Sequence, residues 1–309
     1  MKIVLLGGGG FIGSAISDRL LRDGHALRVF ERPRVIPHRK YGSSETLEWV
    51  TGDLQSIHDI TAAIEGMDAV IHLASTTLPK NSNEDPIFDV QSNLVATLQL
   101  MNAMVVSGLK KIIFVSSGGT VYGEPEYLPI DEKHPTNPIV SYGIVKLAIE
   151  KYLRLFQRMY GIRTVILRLA NPFGERQRAE TAQGAIAVFL HNILRGKEVE
   201  IWGTGNATRD YLYIGDVAEA FSKALVYEGS FDTFNISSGI GVSLNDLLSV
   251  LQQEVGHEII KRYLPGRPFD VPVSILCNKL AEKELKWTPR TQLKEGIGLT
   301  AAWIRKNLD

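Results

Sequence analysis

The stretch GGGGFIG, Gly7 to Gly13, follows the apolar run Ile3-Val4-Leu5-Leu6. Glycine adopts positive φ freely and lets another group approach the backbone closely. The spacing Gly7-x-x-Gly10-x-x-Gly13, with a strand-like run before it and a helix-like run after it, suits a turn that holds a pyrophosphate. The exposed N–H groups and the dipole of the following helix would attract the anion. A tight turn without a ligand is the other reading of the same glycines.

Working outward, the first two-thirds of the chain alternates short apolar runs with amphipathic ones. Strands are predicted over Lys2–Leu6, Ala26–Phe30, Ala69–Leu73, Lys111–Ser116 and Arg163–Arg168, and helices over Ile12–Asp23, Ile57–Glu65, Gln91–Ser107 and Tyr142–Tyr160. Apolar strands alternating with helices predict an α/β, doubly wound parallel sheet. From about Asn171 the pattern loosens. Pro265, Pro268 and Pro272 crowd one loop, and helices are expected at Ser243–Val255 and Leu293–Lys306. The expected organisation is a dinucleotide-binding domain over 1–170, to which a segment near 206–240 returns, and a smaller substrate-binding domain over 171–309.

The 309 residues carry 34 Lys+Arg against 34 Asp+Glu, a balance that gives no support for nucleic-acid binding. Cys277 is the single cysteine, which excludes an internal disulfide and a multi-cysteine metal site and fits a reducing cytoplasm. No metal is expected. Glycines cut the N-terminal apolar run after Leu6, and no run reaches the length of a membrane span.

A dinucleotide turn calls for an acidic residue at the end of the second strand, and Glu31 stands there. Its carboxylate would accept from a ribose diol and repel a 2′-phosphate, which favours NAD over NADP; Arg32 and Arg34 pull the other way. Asp53-Leu54 follows another strand-like stretch, where Asp53 could cap an adenine or a helix.

Ser141-Tyr142-Gly-Ile-Val-Lys146 opens a long helical segment, with Tyr142 and Lys146 four apart and so on one face. A free tyrosine is a poor base at neutral pH. An adjacent ammonium and a cationic nicotinamide would favour its phenolate, which could take a hydroxyl proton while hydride leaves the same carbon. Alone, Tyr-x-x-x-Lys usually marks a solvated helix face; the glycine turn upstream changes its meaning.

Together with His72-Leu73-Ala74, Asn93, Ser116-Ser117-Gly-Gly-Thr-Val-Tyr-Gly123, Leu167-Arg168-Leu-Ala-Asn171-Pro-Phe-Gly174, Trp202-Gly-Thr-Gly, Arg209-Asp210-Tyr211, Arg267-Pro-Phe-Asp270 and Trp287-Thr-Pro289, these motifs span nearly the whole chain. The chain resembles the extended short-chain dehydrogenases/reductases of the nucleotide-sugar epimerase/dehydratase group. The resemblance implies a Rossmann fold with a C-terminal nucleotide-sugar cap and NAD as cofactor. The cofactor would be held by Gly7, Gly10, Phe11, Ile12, Gly13, Glu31, Asp53, Leu54, Leu73, Ala74, Ser75, Asn93, Tyr142 and Lys146. It implies a catalytic Tyr142 and Lys146 and a UDP-sugar substrate. That substrate would be contacted by Ser117, Tyr142, Asn171, Phe189, Ile201, Arg209, Arg267 and Ser274. A homodimer built on Gln91–Ser107 and Tyr142–Tyr160 is the implied partner. Phe189 and Ile201 could equally be core.

Two departures bear on the reaction. The group places a catalytic Ser or Thr four residues before the tyrosine of its Tyr-Gly pair; here that residue is Gly118. Ser117 is the first substitute and Thr120 the second. The dehydratases of the group add an Asp-Glu pair beside the hydroxyl, and Gly118-Gly119-Thr120 offers no carboxylate. The expected reaction is therefore 4-epimerisation of UDP-glucose/galactose, of UDP-N-acetylglucosamine/galactosamine, or of both. A reductase, a dehydratase and a non-catalytic NAD-binding module are the alternatives. Ser274 is small at a position where, in this group, a bulky residue restricts the pocket to plain hexoses.

Overall fold

The computed structural model describes residues 1–178, 184–266 and 271–307. In chain order it forms β1 (Lys2–Leu6), α1 (Phe11–Arg22), β2 (Ala26–Glu31), β3 (Leu47–Thr51), α2 (Ile57–Ile64), β4 (Ala69–His72), α3 (Pro86–Asp89), a π-helical stretch (Val90–Val95), α4 (Ala96–Ser107), β5 (Lys111–Ser117), α5 (Ser141–Tyr160) and β6 (Arg163–Leu169). There follow β7 (Asn171–Phe173), α6 (Ala185–Leu194), β8 (Val199–Trp202), β9 (Thr208–Tyr213), α7 (Ile214–Leu225), β10 (Thr233–Ile236), β11 (Gly241–Ser243), α8 (Leu244–Val255), β12 (Lys261–Leu264), β13 (Val273–Ser274), α9 (Lys279–Leu285) and α10 (Leu293–Lys306). The chain divides into two compact units. One comprises Met1–Gly123, Thr136–Arg168 and Ala218–Phe234; the other comprises Glu124–Pro135, Leu169–Val217 and Asn235–Asp309.

The first unit is built on a seven-stranded sheet of order β10-β6-β5-β4-β1-β2-β3, flanked by helices. β1 pairs in parallel with both β2 and β4, and β2–β3 and β4–β5 are parallel as well. Ile3 to Leu6 are fully buried, which is why β1 reads as an unbroken apolar run. The strand order reverses at β1, where chain segments leaving β1 and β4 diverge; ligands of open α/β sheets bind outside the strand ends at such a point. Val4, Leu6, Val70, Leu100, Met104, Phe114, Ile149 and Leu153 are among the residues that fill the core of this unit.

The helix expected at Gln91–Ser107 begins earlier and is not uniform. α3 runs into the π-helical stretch before α4 starts. Ser92 Oγ donates to the Phe88 carbonyl and Thr97 Oγ1 to the Asn93 carbonyl, each at 2.6 Å. Side-chain hydroxyls thus occupy carbonyls that a regular ladder would use, and such π turns recur at functional sites.

In the second unit, β9 is the hub: β11 and β13 pair with it on a sheet of order β11-β9-β13, and β7 pairs with it in parallel. These pairings explain why the returning segment is Ala218–Phe234 rather than 206–240. Glu124–Pro135 belongs here too, through an Ile130–Leu276 bridge and an Asn235 side chain that donates to the Ile130 carbonyl at 2.9 Å. The core comprises Phe173, Phe189, Leu190, Ile201, Leu248 and Ile297 among others. The Trp287-Thr-Pro289 motif is a clamp. The Trp287 indole donates to the Asp216 carbonyl at 2.9 Å, and the Asp216 carboxylate accepts from Arg290 N and Thr291 N. No helix among the described residues is long and apolar enough to cross a membrane.

Candidate active site

Gly7 has φ +82°, and a Cβ there would lie 2.8 Å from the Ala74 backbone. The segment after β4 therefore runs directly against the glycine turn, brought there by the Leu73 N–H, which donates to the Leu6 carbonyl at 2.9 Å. A Cβ at Gly13 would lie 2.5 Å from Gly8, so α1 starts in contact with the turn. Gly10 differs. Its φ is −78°, and a Cβ there would find nothing nearer than the Gly7 carbonyl at 3.8 Å. The protein itself does not require glycine at Gly10, and no side chain caps the first turn of α1, which carries Phe11, Ile12 and Gly13. Open space before an uncapped helix N-terminus fits an anionic ligand such as the pyrophosphate of NAD.

Glu31, at the end of β2, is half-buried and accepts from Gly9 N at 2.9 Å. Burial pushes its carboxyl up, against the pull of hydrogen bonds from the Gly9 and Arg32 backbone. Asp53 is exposed; its carboxylate accepts from Gln55 N, and α2 is capped by Ser56 instead. Leu54 packs on the core. Asn93 is spent on the protein: its Oδ1 accepts from Thr76 N at 2.9 Å, while its Nδ2 reaches Thr77 and Asp89. Ser75 Oγ donates to the Thr77 carbonyl. Asn93 thus shapes the loop that carries Ser75, from the π-helical stretch.

α5 begins at Ser141 and brings Tyr142 and Lys146 together, with the Lys146 Nζ 5.5 Å from the Tyr142 ring centroid. Lys146 is 3% exposed and donates to the Val115 carbonyl at 3.1 Å. Burial draws its ammonium down to about 8, opposed by the carboxylates of Asp89 and Glu150. Tyr142 is pushed well above the ordinary phenol range, first by burial and then by Asp89. Asp89, which sequence reasoning missed, is fully buried and accepts from Ser141 Oγ, Thr77 Oγ1 and Asn93 Nδ2. Nothing in its local spacing announces it; the π-helical stretch supplies the partners.

His72, beside Lys146, is held neutral. Burial, reinforced by the Lys146 charge, draws it down to about 3. Thr97 Oγ1 gives its own proton to Asn93, so in the 2.9 Å contact the His72 Nε2–H must be the donor. Gly118 is buried, Ser117 is half-buried at the end of β5, and the Thr120 hydroxyl is buried with no hydrogen-bond partner. A Cβ at Gly143 would lie 2.8 Å from the Thr120 carbonyl, so this segment abuts the first turn of α5.

The second unit holds a cavity of about 790 Å³ whose lining includes Asn171, Phe189, Trp202, Arg209 and Tyr211. Asn171 Nδ2 donates to the Asp210 carbonyl at 2.9 Å, and Arg209 Nη1 to the Thr208 carbonyl at 2.9 Å. Ile201 does not line it. β8 alternates buried and exposed residues, so Ile201 faces the core while its neighbours Glu200 and Trp202 face the cavity. The expectation for Ile201 is corrected by one residue, and the alternation itself was the available signal. Ser274 is buried on β13 in register with Arg209, apart from the cavity lining. Arg267 lies outside the described residues.

Comparison with known proteins extends these observations. The model of the NAD dependent epimerase/dehydratase family matches residues 3–237. A UDP-glucose 4-epimerase of Mycolicibacterium smegmatis is 34% identical over 310 residues, covering 99% of each chain. The crystal structure of a UDP-glucose 4-epimerase with UDP-glucose from Thermotoga maritima has a TM-score of 0.95 at 34% identity, covering 100% of both chains. A UDP-N-acetylglucosamine 4-epimerase from Methanobrevibacter ruminantium, in complex with UDP-N-acetylmuramic acid, has a TM-score of 0.92 at 28% identity, covering 99% of each. The matched stretch carries both the glycine turn and the Tyr142–Lys146 helix face, and with them this chain belongs to the NAD dependent epimerase/dehydratase family.

Proposed function

We propose that the protein is a UDP-sugar 4-epimerase that works through a transient 4-keto sugar with retained NAD. Its substrates are the UDP-glucose/galactose pair, the UDP-N-acetylglucosamine/galactosamine pair, or both. The observation that carries the reading is Tyr142 paired with a buried Lys146, beside a segment bearing hydroxyls and no carboxylate. When bound, NAD supplies reversible hydride uptake at C4. Gly7, Gly10, Phe11, Ile12 and Gly13 hold its pyrophosphate, Glu31 its adenosine ribose, and Asp53, Leu54, Leu73, Ala74, Ser75 and Asn93 form or support the surrounding wall.

The Tyr142 oxygen takes the proton of the sugar 4-hydroxyl and later returns it. Before the cofactor binds, burial and Asp89 keep that oxygen protonated. Lys146 is the protein's own positive charge at the phenol, and it stabilises the phenolate. Ser117 or Thr120 orients the sugar hydroxyl. Arg209, with Arg267, holds the diphosphate through the guanidinium fork, and Asn171 and Phe189 contact the nucleotide. The small Ser274 admits 2-N-acetyl sugars. A dehydration would need an acid–base carboxylate beside the hydroxyl, and Gly118-Gly119-Thr120 has none.

The partner is a second copy of the chain. Ile144, Leu155 and Met159 on α5 are 55%, 43% and 57% exposed and, with Tyr152, form one apolar stripe. The single Cys277 fits a reducing, cytoplasmic setting. The test offers UDP-hexoses and UDP-N-acetylhexosamines in parallel, without added NAD, and follows them by NMR. Catalytic equilibration of either pair supports the reading; stoichiometric consumption of added NAD(P)H would point to a reductase.

A further inference from the structure

Glu150 is a buried carboxylate on the Tyr142–Lys146 face of α5, one turn beyond Lys146, and the chemistry assigned above does not use it. Its side chain is fully buried, and that of its ion-pair partner Arg168, on β6, is 3% exposed. Glu150 Oε1 accepts from Arg168 Nε at 3.0 Å and from Ser116 Oγ at 2.6 Å, while Oε2 accepts from Arg168 Nη2 at 2.6 Å. The third arm of the guanidinium, Nη1, donates to the Tyr122 hydroxyl at 2.9 Å, and the guanidinium lies 4.8 Å from the Tyr122 ring centroid. Arg154 adds a more distant contact to Oε2 at 3.9 Å.

A buried ion pair is weak as a source of stability, because desolvation consumes most of the attraction and apolar residues of equal volume often serve as well. What this pair does that apolar residues could not is reach two hydroxyls by directed bonds. Those hydroxyls belong to Ser116 and Tyr122, the residues that flank segment 117–121. Between them lie Ser117 and Thr120, with the Ser117 carbonyl accepting from Thr120 N and Val121 N. The Thr120 hydroxyl is buried and unpaired, and the Thr120 carbonyl abuts Gly143 next to Tyr142.

We infer that Glu150 and Arg168 are positioning residues: their ion pair clamps both ends of the hydroxyl-bearing segment 117–121 to the helix that carries Tyr142 and Lys146. Neither touches substrate. They act by fixing where Ser117 and Thr120 stand relative to the phenol oxygen. A misplacement of about 1 Å in such a group can cost on the order of 100-fold in rate. The inference rests on the epimerase reading for its kinetic arm only.

Substituting Glu150 or Arg168 would strand a buried charge and could unfold the protein, so the test removes the two links to the segment and leaves the ion pair. Ser116→Ala, Tyr122→Phe and the combined variant are purified with their bound NAD and assayed for UDP-sugar epimerisation. Amide hydrogen exchange is followed in the same samples. The combined variant should lose at least about 10-fold in kcat with KM within about twofold of wild type and NAD content unchanged. The Thr120 and Val121 amides should exchange at least about 10-fold faster while α5 stays protected. A merely structural role would lower KM performance, NAD content and kcat together. Wild-type kcat and unchanged exchange at Thr120 and Val121 overturn the inference. If the wild type shows no epimerisation, the functional reading fails alone, and the exchange result still decides whether the clamp exists.

Discussion

The Asp89 carboxylate accepts a hydrogen bond from Ser141 Oγ at 2.7 Å, which sets a fully buried negative charge one residue ahead of Tyr142. After burial, this charge is the next cause of the elevated Tyr142 pKa. Asp89→Asn keeps an acceptor for Ser141 and removes the charge. The phenol should then ionise more easily, and the acidic limb of the kcat–pH profile should move to lower pH. A limb that stays in place, or moves up, would contradict the electrostatic role.

Tyr142→Phe removes the oxygen that accepts the sugar proton and leaves the ring. Turnover should fall by about 10²- to 10⁴-fold, with bound NAD retained, because the glycine turn is untouched. Absorbance of the purified protein reports the cofactor, and NMR of the sugar nucleotides reports turnover. Wild-type turnover in this variant would sink the mechanism.

Gly7 and Gly10 should respond differently to alanine. At Gly7 the left-handed φ and the 2.8 Å approach to Ala74 predict a loss of about 1–3 kcal/mol in folding stability, along with cofactor. At Gly10 the backbone is unstrained and the nearest atom is 3.8 Å away, so stability should change by less than about 1 kcal/mol while NAD retention falls. Chemical unfolding of the apoprotein together with NAD content of the purified variants separates the two.

Asp210 is almost fully buried between two residues of the cavity wall, and burial pushes its carboxyl up to about 6 despite hydrogen bonds from Ser238, Gly239 and Leu276. A carboxyl whose folded pKa exceeds its unfolded one favours the folded state at low pH. That contribution is complete below about pH 4 and is lost as pH rises to about 6, amounting to roughly 3 kcal/mol. Urea unfolding at pH 4.5 and pH 7 should therefore show wild type losing stability relative to Asp210→Asn at the higher pH. The variant should be the less stable of the two at pH 4.5, since an amide cannot accept every one of those donors.

The α5 stripe predicts association. Light scattering should find wild type as a dimer, and Leu155→Glu, at a position exposed in the single chain, should give a folded monomer. A dimer that survives this substitution would place the interface elsewhere.

Features set by nearby residues were legible in the sequence. The Gly7–Gly13 turn and the Tyr142–Lys146 pair depend on spacings of three and four, which local geometry converts directly into shared faces. Where tertiary partners decide, spacing was silent. Asn93 stands where a cofactor ligand was expected, yet Thr76, Thr77 and Asp89 occupy its amide. Glu150 and Arg168 are 18 residues apart and meet only because α5 packs beside β6. Ile201 failed by strand parity: the pleat sends it to the core and hands the cavity to Trp202. Glu124–Pro135 carries no compositional mark of the unit it joins; the bridge to Leu276 decides that.

The π-helical stretch Val90–Val95 carries one more residue in its turn than an α-helix would. Chain length there acts as an angular setting. Deleting a single residue from it would let the helix regularise and turn everything downstream by about 100°. Leu100, Met101 and Met104 would then swing off the core, and Thr97 away from His72. This segment should tolerate many substitutions and no change of length, so among natural variants its signature would be a fixed count of residues rather than a fixed set of them.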